Sequence, residues 1–198
     1  IGDSYNGIPP RPDIVRMLLE AGADPNAGLR GGRPVLMVAV WGDYLEVVRV
    51  LVNSADVNAR VLARRQDSSG SYNIESTVWI ESVRGGTYDI VRSLLEAGAD
   101  IDARDGYHGW TALMYAAEGG HFPIVDMLVK AGADVRIQDS NSESAVSIAR
   151  EKGFGEIADY LETVQDIQGG GELETWVDAL DGNGHTPLTK AARAADGT

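Results

Sequence analysis

Residues able to do chemistry are few in this chain and poorly placed for it. The three histidines, His108, His121 and His185, stand at unrelated positions. No Gly-x-Ser-x-Gly elbow, Walker-type phosphate loop or His-Glu-x-x-His helix occurs. Asp178, Asp181 and Asn183 hint at a calcium loop, but their spacing is wrong and the bidentate glutamate is missing. Gly182-x-Gly184 lacks the third glycine and the preceding buried strand of a dinucleotide site. There is no cysteine, which removes disulfides, thiolate metal sites and cysteine nucleophiles. With no activated nucleophile or acid–base pair to nominate, neither catalysis nor a metal or cofactor is expected within the chain.

Charge narrows the partners. Thirty acidic against 17 basic residues give a net charge of −13, which repels phosphate backbones and makes nucleic acid a poor ligand. The same charge keeps the chain soluble and would complement a basic protein. No apolar run approaches the ~20 residues that span a bilayer, so no membrane insertion is expected. The lack of cysteine fits an intracellular, cytoplasmic address.

The elements that must carry any site come from internal repetition. The segment Ile14-Val15-Arg16-Met17-Leu18-Leu19-Glu20-Ala21-Gly22-Ala23-Asp24 recurs at Ile90–Asp100 and Ile124–Asp134, and a copy at Val47–Asp56 has lost the residue at the glycine. The closing aspartates are separated by 32, 44 and 34 residues, a period near ~33 with one insertion. Apolar residues at i, i+1, i+4 and i+5 (Ile90, Val91, Leu94, Leu95) make one buried stripe of a short helix. The glycine then stops the helix by taking a left-handed turn. Upstream of each lies a second short helix, clearest at Thr111-Ala112-Leu113-Met114-Tyr115-Ala116-Ala117 and Thr186-Pro187-Leu188. Threonine there is an N-cap, proline a preset first residue, and the alanine pair allows close helix approach.

These residues resemble the ankyrin repeat, with its Thr-Pro-Leu-His, Gly-His and Gly-Ala-Asp-Val-Asn signatures. Asp181-Gly182-Asn183-Gly184-His185-Thr186-Pro187-Leu188 is a near-ideal opening and Ala55-Asp56-Val57-Asn58-Ala59 a near-ideal ending. The resemblance implies an all-α solenoid of stacked antiparallel helix pairs with turn or β-hairpin fingers. Pairs are expected at 34–41 with 44–53, 77–84 with 88–97, 111–118 with 122–131 and 144–152 with 155–164. An unpaired second helix falls near 12–21 and an unpaired first helix near 187–195. The repeats then run about 28–59, 60–103, 104–137 and 138–179, with partial repeats at 1–27 and 180–198. Chain ends inside repeats suggest a piece of a longer array. Three stretches break the pattern: Ser4 to Arg11, a long polar connection from Arg60 to Glu75 containing Arg64-Arg65 and Ser68-Ser69-Gly70-Ser71, and residues 165–175. Each is either a functional loop or filler.

In ankyrin-like stacks, partners touch the finger tips and the positions just before the glycine between the helices. Carried onto this chain, those slots include Trp41, Arg84, Tyr107, His108, Trp110, Glu118, Glu151, Lys152 and His185. Trp41, Tyr107 and Trp110 are expected as aromatic anchors, with packing on a neighbouring finger or loop as the competing reading. His121, in the Gly-His slot, is expected to be structural, and Trp79 to be core. The function implied is a monomeric scaffold that binds another protein. The alternative is a regulatory or targeting module of a larger enzyme or channel.

Overall fold

The computed structural model describes residues 11–29, 33–67 and 70–168. The helix expected near 187–195, His185 and the calcium-like stretch lie outside these residues, as does most of the interruption near 4–11.

The described helices come in pairs. A lone α1 (Pro12–Glu20) is followed by α2 (Val35–Trp41) with α3 (Leu45–Leu51), α4 (Val78–Gly85) with α5 (Tyr88–Glu96), α6 (Ala112–Glu118) with α7 (Phe122–Lys130), and α8 (Ala145–Glu151) with α9 (Gly155–Gln168). Each first helix stacks on the next, α2 on α4 on α6 on α8, and the second helices form a parallel layer from α1 through α3, α5 and α7 to α9. First helices therefore have neighbours on most sides. Val78 to Val83 of α4 and Ala112 to Ala117 of α6 are all buried. Second helices bury one stripe, such as Ile90, Val91 and Leu94, while Leu95 is only half-buried. Trp79 is fully buried in the core, as its place in the repeat requires.

Local chemistry sets the helix ends. Thr77, Thr111 and Ser144 accept hydrogen bonds from the N–H groups of Ile80, Met114 and Ser147, and Ser144 with Ser147 closes a reciprocal capping box. Such caps contribute about 1 kcal/mol each. At the other end Gly98 takes φ 90°, which lets Ala99 N–H reach back to Leu94 O at 3.1 Å. That six-to-one bond satisfies a terminal carbonyl, and it recurs from Ala133 to Leu128. The copy lacking glycine closes differently, with Ala55 N–H on Leu51 O at 2.8 Å.

Successive repeats are joined by a ladder of amide and carboxylate side chains. Asn26 Oδ1 accepts the backbone N–H of Asp56, Asn58 Oδ1 that of Asp100, and Asp102 Oδ1 that of Asp134. The next position in this register is Arg136, which instead pairs with Asp134 at 3.0 Å. Beyond it α9 runs on to Gln168, past the expected end near 164, because no glycine follows its apolar face until Gly169.

The connection expected over residues 60–75 is strand over its described residues. It is a finger drawn out into a hairpin, β3 (Arg60–Asp67) against β4 (Gly70–Thr77), in register from Arg60↔Thr77 to Asp67↔Gly70. The first finger pairs only β1 (Gly28–Leu29) with β2 (Arg33–Pro34). The third and fourth keep single bridges, Arg104↔Thr111 and Gln138↔Ser144. Val61, Ser76 and Thr77 bury the hairpin base, and Ser76 Oγ donates to Glu81 Oε1 of α4 at 2.7 Å. Among the described residues no helix is long and apolar enough to cross a membrane.

Candidate functional site

Stacking places the ends of the first helices in a row. Trp41 in α2, Arg84 in α4, Glu118 in α6 and Glu151 in α8 each stand seven residues after the N-cap (Pro34, Thr77, Thr111 and Ser144), and Lys152 follows at the C-cap of α8. Lys152 Nζ lies 3.6 Å from Glu118 Oε1, so two of the expected contact residues pair with each other. Glu151 beside them is exposed. Arg84 lies 5.4 Å from the centre of the Tyr115 ring and 3.8 Å from the buried carboxylate of Glu81. Trp41 keeps 44 % of its surface exposed, with the Arg33 guanidinium 5.4 Å from the centre of its ring. The row is thus aromatic, cationic, anionic and anionic, with Lys152 beside its end paired to Glu118.

The third finger, residues 104–111, is organised by a buried carboxylate. Asp105 Oδ1 accepts the backbone N–H groups of Tyr107, His108, Gly109 and Trp110, and its Oδ2 accepts the Tyr115 hydroxyl. One side chain so satisfies the donors of a whole turn, which fixes the tip without regular secondary structure. Asp139 repeats the device 34 residues on. Its Oδ1 takes the N–H groups of Asn141 and Glu143, and its Oδ2 takes the indole N–H of Trp110 at 2.8 Å. Burial pushes the Asp139 carboxyl up. The Glu143 amide, the Trp110 indole, the Asn141 amide and nearby His108 outweigh it, so its pKa lies below the usual carboxylate value.

Aromatic rings connect this finger to the row of helix ends. Tyr107 meets His108 edge-on at 4.1 Å, His108 lies 5.8 Å from Trp110, and Trp110 stands edge-on to Tyr115 at 5.0 Å. Tyr107 is 51 % exposed and lies at the tip. Trp110 is half-buried and held by Asp139 and Tyr115, so it joins two fingers. His121 packs its ring where side chains on Gly86 and Gly119 would be, bridging successive turns.

Three residues escaped the sequence reading: Asp105, Asp139 and Tyr115. A signal was present for the aspartates, since Asp105-Gly106 and Asp139-Ser140 open fingers 34 residues apart. For Tyr115 the clue was a phenol inside an otherwise apolar, alanine-rich helix, whose hydroxyl needs a partner when buried. Among the described residues, no three histidine or acidic side chains are grouped to hold a metal ion.

The model described as ankyrin repeats (3 copies) matches residues 65–139, and the single ankyrin repeat model matches residues 31–61. Together with the stacked pairs and capped fingers, these matches place the chain in the ankyrin repeat family. The chain is 31% identical over 150 residues to the E3 ubiquitin-protein ligase KEG of Arabidopsis thaliana, covering 58% of this chain and 9% of that protein. It is 37% identical over 90 residues to the human neurogenic locus notch homolog protein 4, covering 46% and 4%. The mouse B-cell lymphoma 3 protein homolog is 34% identical over 113 residues, covering 54% and 22%. The chain thus spans less than a quarter of the length of each.

Proposed function

We propose that this chain is a protein-binding scaffold with no catalysis of its own, gripping its partner along the row of first-helix ends and the tip of the third finger. The observation that carries the reading is the row itself. Four equivalent repeat positions, Trp41, Arg84, Glu118 and Glu151, hold exposed or half-exposed side chains of three chemistries on a rigid stack. Exposed tryptophan and tyrosine with arginine dominate interface hot spots, because they bring much contact area for little lost entropy. His108 and Trp110 hold Tyr107 in place, and Lys152 beside Glu151 widens the face at α8. With a net charge of −13, the chain favours a basic partner and resists self-association, which fits an intracellular monomer.

The test uses affinity capture with the full chain and with the Trp41→Ala, Arg84→Ala, Tyr107→Ala triple variant. Capture of the same protein should fall at least about tenfold, while the helical circular dichroism stays unchanged. Undiminished capture by a folded variant would move the binding face elsewhere.

The short coverage of the relatives favours a second reading, a targeting or regulatory module within a larger enzyme or channel. The full reading frame decides it: further repeats and no other domain would remove this reading.

A further inference from the structure

Two arginines on the row of first-helix ends are held by rings rather than by carboxylates. The Arg33 guanidinium stands over Trp41 and that of Arg84 over Tyr115, each 5.4 Å from the ring centre. Among the described residues neither donates a hydrogen bond, whereas Arg49, Arg92 and Arg150 hold carboxylates at 2.8, 2.9 and 2.6 Å. A ring occupies the face of a guanidinium and leaves its in-plane fork of N–H donors open, which suits a carboxylate. Glu81 lies 3.8 Å from Arg84, but it is buried and its Oε1 already accepts from Ser76. Because α2 stacks on α4, Arg33 on Trp41 and then Arg84 make one end of the row cationic. The other end carries the opposite sign. Glu118 pairs with Lys152 at 3.6 Å, and Glu151 is exposed with no ion pair among the described residues.

We infer that the row takes an extended, charge-polarised segment of the partner protein, with acidic residues over Arg33 and Arg84 and basic residues over Glu118 and Glu151. This rests on the row being the binding face. Stacked first helices pack about 8–10 Å apart, close to the rise of about 9 Å per three-residue turn of a polyproline II segment. Every third side chain of such a segment therefore falls on the next repeat, acidic at the first two and basic at the last two. Charges are screened beyond ~8 Å, so the side chains in contact decide the local sign over the acidic remainder of the surface. Glu81 offsets part of the charge on Arg84, so a singly charged carboxylate fits there better than a doubly charged phosphate. The net charge of −13 disfavours a second copy of the chain as occupant.

The experiment selects a display library of random ten-residue peptides on the intact 198-residue chain. Enriched peptides should carry Asp or Glu toward one end and Lys or Arg toward the other, at three-residue spacing. R33E/R84E should weaken binding of such a peptide at least about tenfold, and in a fresh selection should enrich peptides basic at both ends. E118K/E151K should instead enrich peptides acidic at both ends. Circular dichroism checks that both variants keep their helices. A peptide with the same charges in alternating order should bind at least about tenfold more weakly than the polarised one. A pool basic throughout would report attraction by net charge alone and overturn the inference. So would a pool that neither charge reversal changes, or no enrichment. Self-association lost in R33E/R84E, seen by sedimentation, would give the row to a second copy and overturn it as well. If capture is lost in the Trp41, Arg84, Tyr107 triple variant but the selected pool is not polarised, the binding face stands and the polarity falls. Undiminished capture by that variant removes both.

Discussion

The indole N–H of Trp110 donates to the carboxylate of Asp139, 29 residues further on, at 2.8 Å. This bond joins two consecutive fingers, and Ser140 N–H strengthens the join by reaching His108 O at 2.9 Å. Trp110→Phe keeps the ring against Tyr115 and removes only the donor. A hydrogen bond to a charged group is worth about 1.5–3 kcal/mol. The variant is expected to unfold at lower urea with a loss near the bottom of that range, because neighbouring amides still serve Asp139.

Acid should act through the same carboxylate. The Asp139 pKa is depressed in the folded chain, so its contribution is present above the unfolded value near ~3.9 and disappears as pH falls through the lower folded value. Stability should therefore fall with pH below about 4. In Trp110→Phe the Asp139 titration should move back toward the ordinary value, as read by carboxyl chemical shifts.

Asp105 and Tyr115 form the inner counterpart. Tyr115→Phe strips one donor from a buried carboxylate and should cost about 1–2 kcal/mol. Asp105→Ala leaves four backbone N–H groups and a phenol without their acceptor, and should cost more, about 3 kcal/mol or above. A double-mutant cycle by urea denaturation should give clear coupling between them. Additive losses would mean that the hydroxyl contributes little to the finger.

Glycine positions separate backbone strain from crowding. Gly98 and Gly86 both have positive φ, 90° and 72°, but a methyl at Gly98 meets nothing, whereas one at Gly86 would lie 2.7 Å from the His121 ring. Gly98→Ala should lower stability by about 1–2 kcal/mol from the left-handed backbone alone. Gly86→Ala should cost more, and adding His121→Ala should recover part of the excess. Thermal melts of the three variants test this.

Trp41 should behave oppositely. It keeps 44 % of its surface exposed, and the Arg33 guanidinium over its ring is worth about 0.5–1 kcal/mol at an exposed site. Trp41→Ala should leave the melting temperature nearly unchanged, so that any loss of partner capture reports on binding. A drop of many degrees would return Trp41 to the packing role.

The helix pairs were legible because their signals are local. A capping hydroxyl, an apolar stripe and a glycine stop act within about ten residues, and each recurs, so Thr111 and Gly98 could be read where they stand. The row at Trp41, Arg84, Glu118 and Glu151 was legible for the same reason, since a regular repeat turns sequence spacing into alignment in space.

What only the tertiary structure decided depends on residues that meet across repeats. Sequence by itself determined that residues 60–75 exceed a normal finger. Whether they form a loop or a hairpin rests on the buried base at Val61 and Ser76 and on Gly106 bonding Glu75. Sequence also placed Trp110 at a finger, with contact to a partner and shielding of a loop as equal readings. Its bond to Asp139, 29 residues away, shows only once the two fingers are stacked, because spacing gives a residue's place in the repeat and not its partner.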